Sequence, residues 1–333
     1  MRPNLRVRAL RPFFTVGNYR LSVGWKDVFS KERPSLIHIH GLRNFESDMG
    51  AVLSAARRAP LVLTAHGTIS PPTRIWGVRA SFFSHMYDKG TFGYVLDKAD
   101  AVVAASQAEK EELSRFGITK RKLKVIYHGI PMPTRFAPVG THHSQLTVLI
   151  VSRLTLKNDL ELAIRSFTKA AAFDRRLRLV VVGDEKPSRY LSKERGYKSS
   201  LLRLVKELGV SDRVEFRGWL YGEELEQSYL DADLFLWTSH YDNFAFAILE
   251  ASARGLPIVT TPVGIAQEVV EGEAGGRVVH SRDESELGSA ILDVTSDVHR
   301  MRAMGLHNKE TATHYNIHRM AMGYLSLYKE LGT

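Results

Sequence analysis

The chain has 333 residues, 44% of them hydrophobic and 25% charged, which is ordinary globular composition and enough material for two cores. It has no cysteine, which excludes disulfides and thiolate metal sites and fits a reducing, cytoplasmic setting. The net charge of +10 is uneven: residues 1–137 carry 22 Lys+Arg against 10 Asp+Glu, a net of +12, and the remainder carry 24 against 26.

No apolar run approaches the ~18 residues that a membrane-spanning helix needs. The opening Met1-Arg-Pro-Asn-Leu-Arg-Val-Arg is basic and lacks the apolar core of a signal peptide. A basic first half suits anionic headgroups or a phosphorylated acceptor. Nucleic acid is not expected, because no helix-turn-helix, aromatic-rich RNA-binding strand or zinc-finger spacing is present.

Short apolar runs alternate with helical patterns, which predicts an α/β protein with parallel sheets. Strands are expected at 36–40, 61–66, 101–104 and 124–127 in the first half. In the second they are expected at 146–151, 178–182, 214–216, 234–237 and 258–260. Amphipathic helices are expected at 159–172, 199–208 and 223–230, with a last helix at 311–331. Between the halves, residues 131–144 hold three prolines and no periodicity, the signature of a linker.

The most informative stretch is Asp242-Asn-Phe-Ala-Phe-Ala-Ile-Leu-Glu250, followed by Ala251-Ser-Ala-Arg-Gly255-Leu-Pro257. A carboxylate precedes a helix and a second stands two turns inside it. Gly255 provides a left-handed cap and Pro257 forbids continuation. The N-terminus of such a helix gathers unpaired N–H groups and a positive dipole end, which suit a diphosphate.

At these residues the chain resembles the retaining glycosyltransferases of family 4. Glu250, Ala251, Gly255 and Pro257 match that family's signature. Asp242 stands where its first Glu is usual, and Asn243 and Ala245 replace two usual glycines. Ser35-Leu-Ile-His-Ile-His40, Val62-Leu-Thr-Ala-His66-Gly67, Val125-Ile-Tyr-His-Gly129 and Val151-Ser-Arg153-Leu-Thr-Leu-Lys157-Asn158 resemble further landmarks, with His128 in place of a usual Asn. The family's opening strand and Gly-Gly loop have no match in residues 1–30. The resemblance therefore implies a first domain short of at least its first strand and helix.

The resemblance implies the GT-B fold: two Rossmann-like domains with parallel sheets facing a central cleft. Residues 1–137, completed by the C-terminal helix 311–333, would form the acceptor-side domain, and 145–310 the nucleotide-sugar domain. It implies retaining transfer of a hexose from a UDP- or GDP-sugar to a glycan or lipid-linked acceptor, without metal or other cofactor. His66 and Asp242 would contact the sugar, and backbone N–H groups around Asn243, Phe244, Ala245 and Phe246 the diphosphate. Glu250 would hold the ribose, and Arg153 and Lys157 would steady the leaving phosphate. The departures keep a second reading open: a catalytically weak or inactive subunit that supports a partner glycosyltransferase.

Other motifs weigh less. His38 and His40 alternate on one strand and share a face, yet the later strand ends offer no metal-barrel pattern. Asp231-Ala-Asp233 lies between a helix and a strand and reads as a helix terminus and turn. Gly264 and Glu268 match the family turn that follows the last core strand, and His142-His143 falls in the linker with no assigned role. Arg74 to Tyr87 sets Trp76, Phe82 and Phe83 among basic residues, a pattern suited to an anionic membrane surface.

Overall fold

The computed structural model describes residues 6–16, 19–67, 88–140, 144–185, 196–270 and 272–332. The aromatic–basic segment 74–87 and His142-His143 lie outside the described residues. The chain divides into two compact units, residues 1–126 with 322–333, and residues 127–321.

The first unit opens with an antiparallel hairpin, β1 (Arg11–Val16) and β2 (Tyr19–Val23), followed by α1 (Trp25–Lys31). A lone two-stranded hairpin is marginal in water, and this one is anchored to α2 (Phe45–Arg57). Tyr19 and Trp25 meet the Phe45 ring edge-on, with centroids 6.1 and 6.4 Å away, and Ser22 donates to Glu46 at 3.0 Å. The hairpin falls outside the strands expected from sequence. Its alternation is broken by Pro12, Arg11 and Arg20, so it reads as polar loop.

Behind it runs a parallel sheet in the order β3 (Ile37–His40), β4 (Leu61–Thr64), β5 (Ala101–Ala104), β6 (Leu123–Val125). β4 and β5 are buried along their whole length, which is what a strand covered on both faces requires. α2, α3 (Gly93–Lys98) and α4 (Gln107–Arg115) supply Ala51, Val95 and Leu113 to the core over Leu61 and Leu63.

The second unit is built on β7 (Leu146–Val151), β8 (Leu177–Val182), β9 (Val214–Gly218), β10 (Leu234–Trp237), β11 (Ile258–Thr260) and β12 (Gly276–Val278). Every pairing is parallel, in the order β12-β11-β10-β7-β8-β9. This is the doubly wound arrangement, and its order reverses between β7 and β10. α5 (Leu160–Phe173), α6 (Tyr197–Glu207), α7 (Gly222–Leu230), α8 (Phe246–Ala253), α9 (Ala266–Val270), α10 (Glu284–Thr295) and α11 (Val298–Ala312) connect and cover the strands. Phe167, Phe235, Leu149 and Ile164 are among its fully buried side chains. β12 escapes sequence reading because three residues starting at a glycine carry no periodicity.

One expected element needs correction. The last helix does not run from 311: residues 311–312 end α11, a short turn follows, and α12 spans Ile317–Glu330. Asn316 is extended and its side chain accepts from the Arg319 N–H at 2.9 Å, so it caps a new helix. No helix among the described residues is long and apolar enough to cross a membrane.

Candidate active site

In an open α/β sheet, ligands lie beyond the carboxyl ends of the strands where the order reverses. In the second unit that point is flanked by the loop after β7, Ser152 to Asp159, and the loop after β10, Thr238 to Ala245. The two loops are tied together. His240 N–H donates to Lys157 O at 2.9 Å, Thr238 Oγ1 to Asp159 O at 2.9 Å, and Ser239 Oγ to Lys157 O at 3.2 Å. Asn158 closes the first loop on itself through Arg153 O at 2.8 Å. Arg282 adds a clamp, pairing with Asp159 and donating to Thr238 O and Ser239 O.

Lys157 and Asp242 meet across this junction, with Nζ 3.3 Å from Oδ2. The other carboxylate oxygen of Asp242 accepts the N–H groups of Phe244 at 3.2 Å and Ala245 at 2.8 Å. These two amides, expected from sequence to face a diphosphate, are thus engaged by Asp242. The first helical N–H groups of α8, on Phe246 and Ala247, have no carbonyl four residues back inside the helix. Ala245 precedes the helix with φ 60° and ψ 64°, the left-handed region where a side chain is strained. That is where the family pattern has glycine.

Gly264 braces the same loop from behind. Ile265 N–H bonds Phe244 O at 3.1 Å, and a Cβ on Gly264 would meet the Phe244 carbonyl carbon at 2.7 Å. His128, which replaces a usual Asn, stacks on Phe246 with centroids 5.2 Å apart and meets Phe244 edge-on at 5.1 Å. Glu268 accepts from Tyr127 OH at 2.5 Å.

Glu250 lies on α8 and accepts a hydrogen bond from Tyr229 OH on α7 at 2.9 Å. Tyr229 is buried, and burial followed by the Glu250 charge pushes its phenol well above the ordinary value. Arg254 covers the Tyr229 ring at 4.6 Å, pairs with Glu226, and donates to Glu250 O at 2.9 Å. One oxygen of Glu250 is therefore held and oriented from within. Arg153 is exposed and makes no ion pair among the described residues. Asp233 is structural, as its oxygens accept Gly140 N–H and Thr147 N–H, both at 2.9 Å.

His66 belongs to the first unit, just past β4, with φ 50°. Its Nε2 lies 2.9 Å from His40 Nδ1, and burial, then the His40 charge, lowers its pKa. The His38 and His40 rings lie side by side, centroids 4.1 Å apart and tilted by 35°, on the shared face. His38 bonds Tyr328 OH at 2.6 Å and Thr64 Oγ1 at 2.7 Å, and Thr64 in turn bonds Tyr324 OH at 3.0 Å. Burial foremost, then the charges on His40 and His66, lowers the His38 pKa to about 4.

The sequence profile described as Glycosyl transferases group 1 matches residues 133–311, more than half of the chain. The chain belongs to the glycosyl transferases group 1 family. A second profile, Glycosyltransferase Family 4, matches residues 4–132. Among curated relatives of the family, an uncharacterized glycosyltransferase of Methanocaldococcus jannaschii is 28% identical over 286 residues, covering 81% of this chain and 68% of the relative. A D-inositol 3-phosphate glycosyltransferase of Nocardia farcinica is 26% identical over 246 residues, covering 70% of this chain and 53% of the relative. Among solved structures, Anabaena HepE in complex with UDP superposes with a TM-score of 0.77 at 21% identity, covering 92% of this chain and 81% of that one. The fold is GT-B, with parallel sheets in two Rossmann-like halves.

Asp242, Glu250, Arg153 and Lys157 lie in the second unit and His66 in the first. Sequence reasoning passed over Tyr229, Arg282 and Glu109. For Tyr229 and Arg282 no local pattern announces the partner. Glu109 does carry a signal, since Ser106-Gln-Ala-Glu109 has the spacing of a capping box.

Proposed function

We propose that the chain is a retaining glycosyltransferase that moves a hexose from a UDP- or GDP-sugar to a hydroxyl acceptor. The observation that carries this reading is the Lys157–Asp242 contact at the reversal point of the second unit's sheet, beside the N-terminus of α8. There the helix end takes the diphosphate, and Arg153 and Lys157 neutralise the charge that grows on the leaving phosphate. Two cations in this position do the work of a metal, so turnover should not need one. Asp242 orients sugar hydroxyls and Glu250 the ribose, and the family resemblance assigns a sugar contact to His66 as well. The leaving phosphate accepts the acceptor's proton as the new glycosidic bond forms on the face it vacates.

The solved HepE structure holds UDP, which favours a uridine donor as the first to try. The Nocardia relative is named for an inositol phosphate acceptor, and a first half carrying +12 suits an anionic acceptor or an anionic membrane surface. Isothermal titration with UDP and with GDP in EDTA tests the donor site. One nucleotide should bind, and Glu250→Ala should weaken it by about 1.5–3 kcal/mol, as loss of a charged hydrogen-bond partner does. No binding of either nucleotide, or unchanged affinity in the variant, removes the proposed site.

A further inference from the structure

Glu109 is a buried carboxylate that the site described above does not use. It stands in the first turn of α4 and is 3% exposed. Its Oε2 accepts the N–H of Ala105, in the turn after β5, at 2.6 Å. Its Oε1 accepts the N–H of Gly67, in the turn after β4, 42 residues earlier in the chain. Three residues after the capping Ser106, a Glu ordinarily reaches back to the N–H of the cap itself. Here its two oxygens are divided between the two turns at the carboxyl edge of the first unit's sheet.

Burying a carboxylate is expensive unless donors meet it. Burial pushes the Glu109 pKa up while the two amide bonds pull it down. An apolar residue would cover the same core without that cost, so the carboxylate is explained by the amides it holds. One of them directly follows His66, whose φ of 50° is strained for a residue with a side chain. Such a conformation persists only where the surroundings fix it from several sides. His40 holds the ring, and Glu109 holds the backbone immediately after it.

We propose that Glu109 is a positioning residue for His66, locking the His66–Gly67 turn so that the imidazole is presented in one orientation. The proposal rests on the reading of His66 as a sugar contact. Glutamine is the sharpest replacement, because one of its two side-chain ends is a donor and would face an N–H group.

The test is Glu109→Gln in the full chain, read by turnover and by ¹⁵N–¹H spectra of the histidine rings, with the His66 signals assigned by their loss in His66→Ala. The His66 ring signals should move. The kcat should fall roughly 10- to 100-fold, as expected for a misplaced group, with the donor KM changed less than about twofold. A folded variant with unmoved His66 signals, or with wild-type kcat, overturns the proposal. Should the variant not fold, amide exchange in the native chain decides: Gly67 and Ala105 are expected to be protected, and free exchange at Gly67 overturns the clamp. Failure of the underlying reading has its own signature, namely His66→Ala turning over at the wild-type rate while Glu109→Gln still shifts the His66 ring.

Discussion

Lys157 Nζ lies 3.3 Å from Asp242 Oδ2, joining the loops that leave the two central strands of the second unit. The same carboxylate accepts two backbone N–H groups through Oδ1, so it is at once a loop brace and half of a charge pair. Asp242→Ala should therefore cost stability as well as activity. Loss of a carboxylate holding two amides is expected to destabilise by about 1–2 kcal/mol, seen as a lower urea midpoint with unchanged slope. An unchanged midpoint would mean that the loop holds its shape without Asp242.

Ala245 makes the opposite prediction. It occupies left-handed backbone, where an L side chain costs roughly 1–2 kcal/mol. Glycine removes that strain but adds freedom to the unfolded chain. Ala245→Gly should thus gain about 0.5–1 kcal/mol in chemical denaturation. A net loss of stability would show that the Cβ is packed to advantage.

Much of this architecture is legible in the sequence, for an identifiable reason. β4, β5 and β10 are buried along their length and so appear as unbroken apolar runs. The hairpin from Arg11 to Val23 does not, because basic residues and Pro12 interrupt it while aromatic contacts to α2 hold it in place. The break at Asn316 is hidden within a continuous helical pattern. In the candidate site, Asp242, Glu250 and Lys157 are reached through the resemblance to the family's motifs. The Tyr229–Glu250 bond spans 21 residues and the Arg282–Asp159 pair 123. Such pairings exist only once the chain has folded, and no local pattern encodes them.

The Tyr229–Glu250 bond gives a graded test of how the proposed ribose-binding carboxylate is held. Tyr229→Phe keeps the packed ring under Arg254 and deletes only the hydroxyl. Nucleotide affinity should fall by about 0.5–1.5 kcal/mol, the worth of one hydrogen bond, and by less than in Glu250→Ala. Titration of both variants with the same nucleotide checks the order, and equal losses would contradict it.

His38 sets a pH dependence. Its pKa is lowered from an ordinary 6.5 to about 4, so between those values the unfolded chain binds a proton that the folded chain refuses. Stability therefore falls as pH drops from 6.5 towards 4, and the histidine contributes nothing further below that window. Allowing for partial exposure, the loss is about 2 kcal/mol. Proton uptake on unfolding at pH 5 should be nearly one greater in the wild type than in His38→Asn. Equal uptake would show that His38 is charged in the fold.

Lys157 and Asp242 are proposed to mark a nucleotide-sugar site that works without metal. Release of nucleoside diphosphate from a panel of UDP- and GDP-hexoses, in EDTA, tests it most directly. Release is expected from at least one donor, lowered roughly 10²- to 10³-fold in Lys157→Ala, as loss of a preorganised cation implies. Release that needs added Mn²⁺, or that proceeds equally well in Lys157→Ala, would contradict it.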